Sequence, residues 1–200
     1  MWLSEMTLSG TMETDTQQIA RGLRQRDVAL LSALVAQYQY RLVRYLIYLL
    51  GSRESVDDLV QETWLRVLER GRTYDGRSRF EPWLFTIARN LAIDTMRKRR
   101  MVSLDANDED DPEHAIAPPI SPEPSPFEQA ARTEDARHLA QSLATLEPIY
   151  REALVLRFQE DLSLQEMAGI IGAPVSTVST RIYRGIEALR AHMEGPPHAN

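Results

Sequence analysis

The sequence predicts an all-α protein of two helical domains, a helical bundle and a helix-turn-helix unit, joined by a flexible, acidic, proline-rich linker. Three observations lead there. Apolar residues recur at three- and four-residue spacings on both sides of the chain's middle. No hairpin dipeptide sits between alternating apolar runs, so strands are not indicated. Between the helical halves, residues 101–135 hold six of the 11 prolines and ten Asp/Glu against one Lys/Arg.

A first extension, 1–16, lacks a strong pattern and reads as disordered. The first long helix covers Asp27–Leu50, with Leu30, Leu31, Leu34, Val35, Tyr38, Leu42, Tyr45, Leu46 and Leu49 on its apolar stripe and Gly51 closing it. Ser55-Val-Asp-Asp58 matches a capping box and opens a helix to about Arg70, ended by Gly71. A loop over Arg72–Arg79 precedes a third helix from Phe80 to about Arg100, with Pro82 tolerated in its first turn. In 101–135, proline removes backbone donors and like charges repel, so an extended tether is expected. Helices then follow over Pro126–Leu146, Pro148–Gln159, Ser163–Ile171 and Val175–His192. Ser163 and Glu166 form a second capping box, and the tight turn Gly172-Ala173-Pro174 makes the last pair a helix-turn-helix. Residues 195–200 read as a frayed tail.

Composition narrows the function classes. A chain that is 43% hydrophobic and 26% charged is ordinary for a globular protein. The absence of cysteine excludes disulfides, thiolate zinc sites and a cysteine nucleophile. The longest mostly apolar run, Tyr45–Leu50, falls far short of the roughly 20 residues that span a bilayer. Met1–Thr16 has neither the basic start nor the apolar core of a secretory signal, so the expected compartment is the cytoplasm. His114, His138, His192 and His198 are scattered, with no His-x-x-x-His pair, no phosphate loop and no nucleophile elbow. No enzyme, no metal and no cofactor are therefore expected. The net charge of −6 averages unlike parts. Residues 1–100 carry 16 Lys/Arg against 12 Asp/Glu, residues 101–135 carry 1 against 10, and residues 136–200 carry 6 against 7. Such asymmetry suits a nucleic-acid surface with a separate tether, and equally a solvated surface with an acidic loop.

Three surfaces carry the functional argument. On the helix from Ser55 to Arg70, Val56, Leu59, Val60, Thr63 and Val67 share one arc of about 100° and form the core face. Asp57, Gln61, Trp64, Leu65 and Leu68 gather opposite, which suits a partner-binding face or a helix buried on both sides. Over Arg72–Arg100, Arg72, Arg77, Arg79, Arg89 and the cluster Arg97, Lys98, Arg99, Arg100 interleave with Tyr74, Phe80, Trp83 and Phe85. Cations can hold phosphates while rings stack on unpaired bases. The alternative is that Phe80, Trp83, Leu84, Ile87 and Leu91 are an ordinary core stripe. In the helix-turn-helix, Val175, Val178, Ile182 and Leu189 face inward. Ser176, Thr177, Ser179, Thr180, Arg181, Tyr183 and Arg184 point elsewhere, as a major-groove reader needs. A helical hairpin without DNA remains the alternative.

The stretches Leu50–Val67 and Phe80–Arg100 resemble the second conserved region of bacterial sigma factors. Leu162–Ala168 and Pro174–Arg184 resemble the fourth. Two such domains, a linker and little else resemble the extracytoplasmic-function group. The resemblance implies a non-catalytic initiation factor that joins core RNA polymerase and directs it to promoter DNA, under the control of an anti-sigma factor. It implies a region 2 domain over 17–100, the linker, and a region 4 domain over 136–194. Asp57, Asp58, Gln61, Glu62, Trp64 and Leu68 would grip the clamp helices of the largest core subunit. Arg77, Ser78, Arg79, Phe80, Trp83, Arg89, Asn90, Arg97, Arg99 and Arg100 would bind the melted minus-ten element, capturing a flipped base. Ser176, Thr177, Ser179, Thr180, Arg181, Tyr183 and Arg184 would read the minus-thirty-five element. The acidic linker would suit a tunnel built to hold RNA. Two departures stand out: relatives usually place lysine where Ser179 stands, and further basic residues at Ile186 and Glu187. This implies weaker, more hydroxyl-based upstream reading. An ordinary helix-turn-helix regulator and a structural helical adaptor are the rival readings. The regulator would bind its duplex unaided, and the adaptor would show no DNA dependence.

Overall fold

The computed structural model describes the backbone of residues 15–105 and 134–194 and the side chains of 15–99 and 138–193. Among the described residues every regular element is helical. Of the tether expected over 101–135, residues 101–105 and 134–135 are helical, which corrects its bounds, and 106–133 lie outside the described residues, as do the start of the helix expected from Pro126, the extension before residue 15 and the tail 195–200.

A helix α1 over 15–25 comes first. It corrects the expectation that the extension reaches Thr16. Thr16 is buried, and its hydroxyl donates to the Gly76 carbonyl at 2.8 Å. Ala20 and Leu23 follow on the same buried face. Arg26, at φ 55°, turns the chain back. The Asp27 carboxylate then accepts from the Ala29 and Leu30 amides at 2.9 and 3.2 Å, capping α2 (Val28–Leu50). Gly51, at φ 74°, closes α2 in the left-handed conformation that glycine adopts without steric cost.

Helix α3 (Val56–Arg70) buries Val56, Leu59, Val60, Thr63 and Val67, the five residues whose spacing marked its core face. Its expected capping box does not form. Ser55 sits at φ 61°, makes no cap bond, and its hydroxyl instead accepts from Arg99 Nη2 at 2.7 Å. The left-handed backbone turns the side chain away from the helix start. Asp57 and Asp58 still place negative charge there, where the helix dipole favours it. A 3-10 turn, Gly71–Thr73, leads to the loop before α4 (Phe80–Asp105), which runs beyond the expected end at Arg100.

Helices α2, α3 and α4 pack on one another, and an aromatic cluster closes their lower end. Phe80 lies 5.4 Å from Tyr38, 5.5 Å from Tyr74 and 5.7 Å from Trp83, centroid to centroid. The second module comprises α5 (Glu134–Thr145), α6 (Pro148–Leu154), a π turn (Val155–Gln159), α7 (Leu164–Ile171) and α8 (Val175–Glu194). The Ser163–Glu166 capping box forms: the Glu166 amide donates to the Ser163 hydroxyl, and the Ser163 amide donates to the Glu166 carboxylate. Gly172, at φ 70°, makes the turn into α8. Gly185 lets α8 lie close on α6, since a Cβ there would come within 3.1 Å of Leu154.

The modules touch. Helix α6 and the π turn pack on α2, and α7 packs on α4. Tyr45 to Leu49 are all buried, five residues in a row. A helix buries its whole circumference only when covered from every side, and here the covering comes from both modules.

Candidate nucleic-acid interface

On α3, the face opposite the core keeps Asp57, Asp58 and Gln61 exposed, with Leu65 at 53% and Leu68 at 41%. Apolar side chains left in water beside acids, on a helix whose other face is buried, mark a surface built for contact. Glu62 is half-buried and takes Arg66 at 2.9 Å; Arg66 also reaches Glu69 at 3.3 Å. Trp64 belongs only partly to this face. Its ring packs against the core, and its buried indole N–H finds no acceptor among the described residues.

The loop before α4 is held rather than loose. The Gly76 carbonyl accepts from Thr16 and, at 3.2 Å, from Gln17. At φ 73°, Gly76 has no room for a Cβ, which would lie 2.9 Å from the Thr16 carbonyl oxygen. The Tyr74 hydroxyl donates to the Ser78 carbonyl at 2.6 Å, and the Arg77 amide to Asp75 at 2.9 Å. Burial, with Glu81 and Asp75 adding, pushes the Tyr74 phenol up to about 12, so it remains a donor. This bracing leaves Arg77 and Ser78 exposed at the tip. Helix α1, which does the bracing, was missed as a site element; Ile19, Ala20 and Leu23 at three- and four-residue spacings were its signal. Beside the loop, a cleft of about 360 Å³ is lined by Gln18, Gln37, Tyr38, Arg79, Phe80 and Glu81.

The aromatics of this segment are mostly core. Phe80 is 1% exposed, which corrects its expected contact with DNA in this form: its ring is committed to Tyr38, Tyr74 and Trp83. Tyr74 and Phe85 are buried too, and Trp83 is half-buried against the same cluster. The cations differ. Asn90 is exposed; Arg97 is exposed and pairs with Asp94 at 3.3 Å; Arg99 reaches Glu54 at 3.3 Å and Ser55. Arg100 lies on α4 with its side chain outside the described residues. Arg79 pairs with Glu81 at 3.4 Å and donates to the Asp161 carbonyl at 3.3 Å. Arg89 is held by Glu152 of the other module at 2.7 Å. Burial opposes its charge, but hydrogen bonding and attraction from Glu152 outweigh that and raise its pKa.

On α8, Val178 is fully buried and Ile182 and Leu189 are half-buried against the core. Val175, expected inward, is 37% exposed because it opens the helix at the rim of the turn. Ser176, Ser179, Thr180, Tyr183 and Arg184 are exposed, and Thr177 and Arg181 half-buried. Thr180 donates back to the Ser176 carbonyl at 2.9 Å. The helix therefore presents a row of hydroxyls with two arginines beyond them. Among the described residues no group of acids and histidines could hold a metal, and no helix is long and apolar enough to cross a membrane.

The profile of Sigma-70 region 2 matches residues 34–101, and that of Sigma-70 region 4 matches residues 137–189. The ECF RNA polymerase sigma factor SigX of Bacillus subtilis is 32% identical over 163 residues, 78% of this chain and 80% of that protein. The RNA polymerase sigma factor CarQ of Myxococcus xanthus is 34% identical over 157 residues, 78% of this chain and 85% of that protein. The chain belongs to the ECF group of RNA polymerase sigma factors. It is thus a promoter-recognition factor for transcription initiation, and α3 and the loop beside it lie in its region 2 while α7 and α8 lie in its region 4. Its fold resembles that of the sigma factor RpoE in complex with the anti-sigma factor NepR from Bartonella quintana, with a TM-score of 0.65 at 23% identity over 82% of this chain and 96% of that one. It also resembles CnrH in complex with the cytosolic domain of CnrY, with a TM-score of 0.62 at 25% identity over 89% and 96%.

Proposed function

We propose that this sigma factor engages polymerase and promoter through three surfaces, each assembled on one helix or its preceding loop. The exposed face of α3, with Asp57, Asp58, Gln61, Leu65 and Leu68, grips the clamp helices of core RNA polymerase; Glu62 and Trp64 support it from its half-buried edge. The braced loop with Arg77, Ser78 and Arg79, together with Arg89, Asn90, Arg97 and Arg99 along α4, holds the melted minus-ten strand. The cleft beside that loop, apolar at Ile19, Leu30 and Leu34 and polar at its other side, takes the extruded base, whose edges can meet Gln18, Gln37 and Arg79. On α8, the hydroxyl row and Arg181, Tyr183 and Arg184 read the minus-thirty-five element in the major groove.

The observation that carries this reading is the exposed pairing of Leu65 and Leu68 with acids on α3, which an ordinary helix-turn-helix regulator does not explain. The protein makes and breaks no bonds itself; its work is binding, done in the cytoplasm where the polymerase acts. One solved relative is bound to the anti-sigma factor NepR and the other to the cytosolic domain of CnrY, and we infer that an anti-sigma protein holds this chain as well.

The test is Gln61→Ala combined with Leu65→Ala, both at exposed positions. Affinity for core polymerase should fall at least about tenfold, roughly 1.4 kcal/mol, and run-off transcription with it. The thermal midpoint should stay within about 2 °C, since exposed truncations away from special contacts cost little. Undiminished core binding would refute the assignment of this face.

A further inference from the structure

Four arginines of the first module are not free. Glu152, 3% exposed, accepts from Arg89 at 2.7 Å and from the Tyr45 hydroxyl at 3.0 Å. Glu160, 1% exposed, accepts from Arg41 at 2.7 Å and Arg44 at 3.0 Å. Arg79 reaches the Asp161 carbonyl and, at 3.8 Å, Glu166. Among the described residues the hydrogen bonds of the Glu152 and Glu160 carboxylates all cross from the region 4 module to the region 2 module. The local backbone is shaped for this. The π turn Val155–Gln159, with the Glu160 amide bonded to the Val155 carbonyl and Asp161 at φ 50°, delivers Glu160 into the groove beside α2.

We propose that the free protein rests closed, with Glu152 and Glu160 as a clasp on Arg89, Arg41 and Arg44, and that single-stranded DNA competes with the clasp for region 2. The inference rests on the reading of Arg79 and Arg89 as minus-ten contacts. Carboxylates here occupy the position that phosphates would take on the same guanidinium groups. Geometry adds a second argument. Elements about 25 base pairs apart lie about 85 Å apart along B-DNA at about 3.4 Å per pair. Modules joined by 2.7 Å hydrogen bonds cannot occupy both. Residues 106–133 reach at most about 95 Å when fully extended, enough to let them part. Opening returns both acids and their arginines to water, which offsets part of the lost pairing and keeps the closed state from being too stable to open.

The chain has no cysteine, so labels can be placed at will. Arg24→Cys and Arg190→Cys put them on exposed sites of α1 and α8. Pulsed EPR distances should be narrow for the otherwise unaltered protein and broadened toward longer values for Glu152→Gln with Glu160→Gln. Arg41→Gln with Arg44→Gln breaks one arm of the clasp from the opposite side and serves if the first pair fails to fold by circular dichroism. A fluorescein-labelled random-sequence single-stranded 12-mer is then titrated by anisotropy. The Glu152/Glu160 variant should bind at least about fivefold tighter. A control losing the same charge at exposed sites, Glu147→Gln with Glu187→Gln, should gain less than about twofold. Equally broad distances in the unaltered protein overturn the clasp, and so does opening without a gain over the control. Failure to initiate with core polymerase at any promoter would instead strike the assigned surfaces, and the distance measurement would still decide the clasp.

Discussion

At Gly76 one hydrogen atom in place of a methyl group decides how a loop is held. Its φ of 73° favours glycine, and its Cβ position is already occupied by the Thr16 carbonyl and the Ala20 side chain. Gly76→Ala should destabilise the first module by about 1–3 kcal/mol, measured by urea unfolding, and should weaken open-complex formation more than core binding. Equal loss in both assays would mean that the loop serves only the fold. The same scale shows how packing decided between readings that the sequence left open. Phe80 and Trp83 stand among arginines, a composition that suits stacking on bases. Tertiary packing gave Phe80 instead to a four-ring cluster, because burying an aromatic ring gains more than exposing it. Trp64 falls on the outer face by periodicity, yet its large ring folds back on the core.

Two capping signatures that look alike in sequence part company at the scale of the element. Ser163 and Glu166 complete their box; Ser55 and Asp58 do not. Aspartate at the third helical position is one methylene shorter than glutamate, and the left-handed Ser55 backbone removes the hydroxyl from reach. Ser163→Ala should therefore cost about 1 kcal/mol in denaturant unfolding. Ser55→Ala should cost less than about 0.5 kcal/mol, the loss of one exposed bond to Arg99. A larger effect at Ser55 would mean that it caps α3 in solution. Periodicity was otherwise a sound guide to these helices. The buried face of α3 matched residue for residue, because the spacing of apolar residues is itself what burial selects. Helix α1 was less legible, since its start is set by a contact from a distant residue, Gly76 with Thr16.

For the molecule as a whole, the contact between modules has a pH signature. Burial first, then the Glu152 carboxylate, holds the Tyr45 phenol well above the ordinary tyrosine range; Arg89 opposes and Glu160 adds to this. Tyr38 and Tyr74 are shifted upward as well, again chiefly by burial. A phenol raised in the folded state contributes stability that is complete below about pH 10, the unfolded value, and is lost as pH climbs toward the folded value. The thermal midpoint should thus be level between pH 7 and 9 and fall above about 10. Tyr45→Phe should flatten part of that fall while costing about 1 kcal/mol at neutral pH through the lost bond to Glu152. A midpoint that held steady to pH 11 would show that these phenols are not buried in solution.

Local order needs only neighbours along the chain, so the amino-acid sequence alone determined the helical class, the split around an acidic middle, the inner face of α3, the turn at Gly172 and the family motifs. Which cations stay free could not be read that way. Arg89 and Asn90 are adjacent, yet one is pinned to Glu152 and the other faces water. Nor does Tyr45–Leu49 reveal that two modules cover it. Those outcomes depend on groups far apart in the chain, 63 residues for Arg89 with Glu152, 107 for Tyr45 with Glu152 and 119 for Arg41 with Glu160. Only the folded chain brings them within hydrogen-bonding reach.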